Sequence, residues 1–279
     1  MIGIIRALKT TDRIQPLAKW YRVLAVGLWG GLLLGFSLST ARAQITASGS
    51  DSTLHVVKAL AAAFEKETGK AIHLEGGGSS VGAKAAIAGQ VQLAFLSRAL
   101  SDQEKKAGLV GAPYALDGIA VIVHKENPED DISVAELRKL YTGAASRWKD
   151  GRPVVLFNRN TDSGTRQVFQ ELVLGQGETF TPKAAIKHDA LLVRSVSRIP
   201  SSLAYTSVAE ADEALVKVLS INGLRPTAAN LRDRSYPLSR TPMLATKGQP
   251  SGDAKAFIDF VLGTRGQAIV QEQKLIKMK

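Results

Sequence analysis

Three loops of one kind constrain how this chain can fold. Each is rich in Gly, Ser and Thr, and each leads from a short apolar run into an amphipathic stretch. The first, Gly49-Ser50-Asp51-Ser52-Thr53, follows Ile45-Thr46-Ala47 and precedes a helix expected from about Leu54 to Thr68. Its apolar face is Leu54, Val57, Leu60, Ala61 and Phe64, and Gly69 stops it. The second, Gly76 to Gly82, follows Ala71-Ile72-His73-Leu74 and leads a helix that Gly89 closes. The third runs from Arg159 to Arg166, after Val154-Val155-Leu156-Phe157. Val168, Phe169, Leu172 and Val173 follow it at helical spacing up to Gly175. Strand, loop and helix in alternation predict an α/β fold with parallel strands, in which ligands bind beyond the carboxyl ends of the strands.

All three loops lie at such ends and open helices. A helix start offers unpaired backbone N–H groups and a partial positive charge. In the third loop Gly164 lets a ligand approach the backbone, and the Ser163 and Thr165 hydroxyls add donors. Arg159 and Arg166 supply planar cationic forks suited to a tetrahedral oxyanion. Capping explains one such loop. Three together point to an anion site.

Residues 1–43 read as a cleavable export signal. Arg6, Lys9, Arg13, Lys19 and Arg22 form a basic region, Val23 to Leu38 an apolar one, and Ala41-Arg42-Ala43 a small-x-small cleavage site. The apolar run is shorter than the roughly 20 residues of a spanning helix. A soluble periplasmic protein beginning at Gln44 is expected. The absence of Cys excludes a lipid-anchored Cys and a disulfide framework. Losing six basic residues and one acid with the leader lowers the formal charge from +11 to +6. That balance favours anionic ligands, but no basic run is interleaved with aromatics, so nucleic-acid binding is not expected.

Further along, the strand Val91 to Leu96 ends at Ser97-Arg98, and Asp117 to Val123 is an unbroken strand. Ser101-x-x-Glu104 and Ser133-x-x-Glu136 read as capping boxes. Gly78-x-Ser80-x-Gly82 fits the nucleophile-elbow pattern, so a secreted serine hydrolase using Ser80 is one reading. Its partners would be Asp162 with His188, or Asp117 with His124, and neither His lies in a loop of distinctive composition. A phosphate-binding P-loop fails because Ala83 stands where Lys is required. The four His residues lack metal-ligand spacing, so neither a metal nor a cofactor is expected.

These motifs carry a resemblance. The Gly49 to Thr53 loop, Gly76 to Gly82, Ser97-Arg98, Asp117-Gly118-Ile119-Ala120, Arg159-x-x-x-Ser163-Gly164-Thr165 and Tyr236-Pro237-Leu238-Ser239-Arg240 occur in that order. Together they resemble the periplasmic phosphate-binding proteins of phosphate ABC transporters, over nearly all of residues 44–279. The resemblance implies the two-lobed periplasmic-binding-protein fold (type II), with the ligand in the cleft between lobes. Lobe 1 would comprise 44–122 plus 238–279, and lobe 2 would comprise 123–237. It also implies a non-enzymatic, monomeric binder that captures inorganic phosphate and delivers it to an inner-membrane permease. Thr53, Leu54, Ser79, Arg159, Ser163, Gly164 and Thr165 would hold the anion. The best-known members carry an Asp after the Ser of the Ser97-Arg98 pair, and that Asp accepts a proton from phosphate and so rejects sulfate. If Arg98 faces the pocket, it joins the ligands and that acceptor is lost, leaving Asp51, or else Asp117, to replace it. The alternative for Arg98 is an ion pair. Sulfate or molybdate remain alternative ligands on the same fold.

Overall fold

The computed structural model describes residues 44–278; the expected export signal lies outside the described residues. Two mixed sheets form, each with its own core. The first is five-stranded. Three of its strands, β1 (Ile45–Gly49), β2 (Ile72–Glu75) and β3 (Leu93–Leu96), pair in parallel in the order β2-β1-β3. Met243–Lys247 then inserts antiparallel between β3 and β4 (Leu109–Pro113).

Helix α1 (Asp51–Thr68) covers this sheet. Val56, Val57, Leu60 and Phe64 recur at helical spacing and are buried against Phe95, Leu244 and Phe257. Gly69 ends the helix in the left-handed conformation, where its N–H bonds Glu65 O at 2.7 Å. The helix starts three residues before the expected Leu54, with Ser50 as its N-cap. Ser52 and Thr53 therefore lie in its first turn. Helix α2 (Ser79–Ile87) follows β2, and both capping boxes form, at Ser101/Glu104 and Ser133/Glu136.

The second sheet is built on β5 (Ala115–His124), whose side chains are buried almost throughout. It pairs antiparallel with Ser202–Ser207, which pairs in parallel with Val155–Asn158. The expectation of parallel strands thus holds within each local strand-loop-helix unit. It does not hold where the chain returns between sheets: Met243–Lys247, Ser239–Arg240 and Ile276–Lys277 all pair antiparallel. Tyr141, Phe169 and Tyr205 form the aromatic centre of the second core, with the Phe169 and Tyr205 rings stacked 4.0 Å apart.

The chain passes from the first sheet to the second between Pro113 and Ala115 and returns between Arg240 and Met243. Residues 115–122, counted with lobe 1 from the sequence, are strand residues of the second sheet. No helix among the described residues is long and apolar enough to cross a membrane.

Candidate functional site

The three loops converge where the two sheets face each other. Ser163 caps the helix Gly164–Phe169, and its hydroxyl accepts the Arg166 N–H at 3.3 Å. That places Gly164 against the first sheet's loops. A Cβ on Gly164 would stand 2.2 Å from Ser79 Oγ and 2.5 Å from Ser97 Oγ, so only glycine fits. Ser79 and Ser97, both fully buried, are joined Oγ to Oγ at 3.2 Å, and Ser97 N–H donates to Ser79 Oγ at 3.1 Å. Nearby, Ser80 N–H donates to Asp162 O at 3.2 Å, a backbone bond between the two loops.

A second line of polar contacts crosses from sheet to sheet. Arg240 grips Asp117 Oδ2 through Nε at 2.8 Å and Nη2 at 2.7 Å, and its Nη1 donates to Thr165 Oγ1 at 2.7 Å. Thr165 in turn donates to Ser52 Oγ at 3.1 Å, which lies 3.0 Å from Ser50 Oγ. All five side chains are buried. Asp117, one of the two expected acceptors, is fully engaged: Ser207 also donates to its Oδ2, and the N–H of Gly118, its neighbour in β5, holds Oδ1. It orients Arg240 rather than facing a ligand.

Arg159 is set by its neighbours. Asn158 Oδ1 accepts both the Arg159 N–H, at 2.8 Å, and the Tyr205 hydroxyl. The Arg159 guanidinium is nearly enclosed and meets the carboxylate of Asp189. Burial lowers its pKa, while the nearby Glu210 carboxylate acts to raise it. Arg159 Nε, Thr53 Oγ1 and the neighbouring Tyr114 hydroxyl are among the buried polar atoms with no hydrogen-bond partner among the described residues. Such atoms are rare, because a buried donor left unpaired costs about 1–3 kcal/mol.

Two clefts flank this centre. One, of about 540 Å³, is lined by Asp51, Leu54, Gly77, Asn160, Asp189 and Glu210. There Asp51 Oδ1 accepts the Gly77 N–H at 2.8 Å. Glu210 was not anticipated from the sequence, and neither was Asp189. Thr206 donates to Glu210 at 2.8 Å, yet burial pushes the Glu210 carboxyl up to about 7. The other cleft, about 920 Å³, is lined by Ser80, Lys84, Arg98, Gln167 and Arg240 among others. Arg98, expected among the anion ligands, turns this way. Glu104 holds it with two bonds of 2.7 Å, Ala99 O accepts a third, and its Nε donates to Gln167 Oε1. Ser97, not Arg98, is the residue of that pair that faces the serine cluster.

The structure therefore brings Ser79, Ser97, Gly164, Thr165 and Ser52 together, with Thr53 next to Ser52 and with Arg159 and Ser163 on the Gly164 loop; it leaves Leu54 and Asp51 on the cleft wall and sets Arg98 apart. Ser80, the nucleophile of the hydrolase reading, accepts from Gln167 Nε2 at 2.5 Å, and neither His124 nor His188 bonds it. No cluster of His, Asp and Glu among the described residues is arranged to hold a metal. Hydroxyls, helix-start N–H groups and a buried guanidinium make a donor-rich cradle for a small oxyanion.

Residues 36–265 match the PBP superfamily domain. The chain is 30% identical over 230 residues to the phosphate-binding protein PstS of Bacillus subtilis, covering 79% of this chain and 76% of that protein. It is 29% identical to the protein SphX of Synechococcus elongatus, over 82% of this chain and 76% of that one. Among solved structures it is similar to a putative phosphate ABC transporter substrate-binding protein from Clostridium perfringens with bound phosphate. That likeness has a TM-score of 0.80 and 34% identity, over 85% of this chain and 100% of the other.

Proposed function

The chain belongs to the PBP superfamily, and we propose that it captures inorganic phosphate for an ABC importer, working as a periplasmic binder rather than an enzyme. The observation that carries this is the meeting of three helix starts from opposite sheets, with Thr165 bonded to Ser52 and Gly164 set against Ser79 and Ser97. A phosphate seated there would accept from Thr53, Ser79 and Ser163, from the Gly164 and Thr165 N–H groups and from Arg159. Such an anion ties the two lobes together, which stabilises the closed form by as much as it favours that form over the open one.

The lobes divide where the chain crosses, near residue 114, near residues 241–242 and again before Ile276–Lys277, which pairs with β5. Asp51 is the acceptor for a phosphate proton, because it lines the cleft and only one of its oxygens is engaged. The relatives named PstS support phosphate as ligand, and the C. perfringens protein holds phosphate in a similar fold. The partner is an inner-membrane permease, and the binder acts as a monomer.

The experiment is competition. Phosphate-loaded protein is challenged with sulfate and with molybdate, for the native sequence and for Asp51→Ala. The native protein is expected to keep its phosphate, and Asp51→Ala to lose the preference over sulfate. Displacement of phosphate from the native protein by equimolar sulfate would assign the site to another oxyanion.

A further inference from the structure

Gln167 occupies a position that the phosphate reading leaves unused. It lies on the helix Gly164–Phe169 of the second sheet, and both ends of its amide are engaged. Its Oε1 accepts from Arg98 Nε, and its Nε2 donates to Ser80 Oγ at 2.5 Å and to Thr161 O at 3.2 Å. Arg98 and Ser80 belong to two separate loops of the first sheet. One side chain thus joins both of those loops to its own.

Arg98 is prepared for this contact. Glu104 takes its Nη1 and Nη2 at 2.7 Å each, and Ala99 O takes Nη1 again at 2.9 Å. Glu104 is itself fixed by the Ser101 capping box, accepting Ser101 N–H at 2.8 Å. Both charged side chains are about nine-tenths enclosed. The guanidinium plane is therefore locked within the first lobe, with Nε presented across the cleft. Apart from the Thr161 bond, the contacts of Gln167 described here exist only when the lobes are together. None of its partners belongs to the anion cradle.

We propose that Gln167, docking onto Arg98 and Ser80, is a latch that holds the closed lobes and sets how slowly the anion leaves. It is a positioning residue, and the inference rests on the reading that the lobes close on phosphate. The anion first meets the open cleft, before the latch forms. Removing the latch therefore speeds release and leaves capture nearly unchanged. One bond from a charged donor and one neutral bond correspond to release faster by roughly tenfold to a hundredfold.

The test is stopped release of radiolabelled phosphate into excess unlabelled phosphate, with the association rate and the melting temperature of the phosphate-free protein measured alongside. Gln167→Ala is expected to release phosphate at least ~10-fold faster, at an unchanged association rate and melting temperature. Gln167→Glu keeps an acceptor for Arg98 and can accept from the Ser80 hydroxyl, but it cannot donate to Thr161 O, so it should fall between. Arg98→Ala combined with Gln167→Ala should be no faster than the faster single variant, because the two act through one contact. Native release in Gln167→Ala, or a change seen only in association, overturns the latch alone. A native protein that takes up no phosphate overturns the functional reading and the latch with it.

Discussion

Arg159 is a cation held in a place that disfavours charge, and its surroundings decide what it can do. Asp189 and Glu210 are its acidic neighbours, yet Nε has no partner among the described residues. Arg159→Ala should weaken phosphate binding by at least ~100-fold in equilibrium dialysis, since it removes charge-assisted bonds. Arg159→Lys should recover only part of the loss, having no fork. Glu210 carries the pH dependence. Its carboxyl titrates near 7 in the folded protein instead of 4.5, chiefly through burial. Between those values the folded protein keeps a proton that the unfolded chain has released, so its contribution to stability is complete below about 4.5 and is lost as pH rises through about 7. The melting temperature of the phosphate-free protein should carry a component that declines over this window and is absent in Glu210→Gln. Of these residues the sequence revealed Arg159, Ser163 and Thr53, because small polar residues between an apolar run and a helix form a signature within a few positions. It could not reveal Asp189 or Glu210, which lie 30 and 51 positions beyond Arg159 and reach it only through the fold. Arg98 was legible as a charge at a strand end, but its direction was set by Glu104. That capping box was itself read correctly, without the link between the two.

The loops that open helices do more than supply donors. They set how closely the lobes can approach. Gly164 is tightest, because a methyl group there would meet the hydroxyls of Ser79 and Ser97 and also Ser79 Cβ at 2.8 Å. Gly164→Ala should therefore hold the lobes apart, lowering phosphate affinity by ~100-fold or more with little change in melting temperature. A large fall in melting temperature instead would mean that the residue serves folding rather than closure. Helix existence was well legible, since Val57, Leu60 and Phe64 repeat at helical spacing and Gly69 stops the run. The start of α1 lies three residues before the expected one, because Asp51, Ser52 and Thr53 are poor helix formers by propensity yet occupy its first turn. Strand direction was only half legible. Local alternation predicts parallel neighbours, but Met243–Lys247 reaches β3 after more than 140 residues, and nothing near either strand records that it arrives antiparallel.

The two sheets have separate cores, joined by three chain crossings (near residue 114, near residues 241–242 and before the Ile276–Lys277 strand) and by polar contacts between loops: Thr165 with Ser52, Ser80 with Asp162, and Gln167 with Ser80 and Arg98. Contacts of this kind are few and polar, whereas each core is apolar. The lobes can therefore part without either unfolding. This division of labour suits a carrier that must hold its anion and later release it. Everything above requires the cradle between the lobes to select phosphate. Calorimetric titration of phosphate-stripped protein lacking residues 1–43 tests that directly, with phosphate, sulfate and molybdate added at matched ionic strength. Tight one-to-one binding of phosphate and no heat from sulfate are expected. Binding of sulfate or molybdate in place of phosphate, or no binding of any of the three, would contradict it.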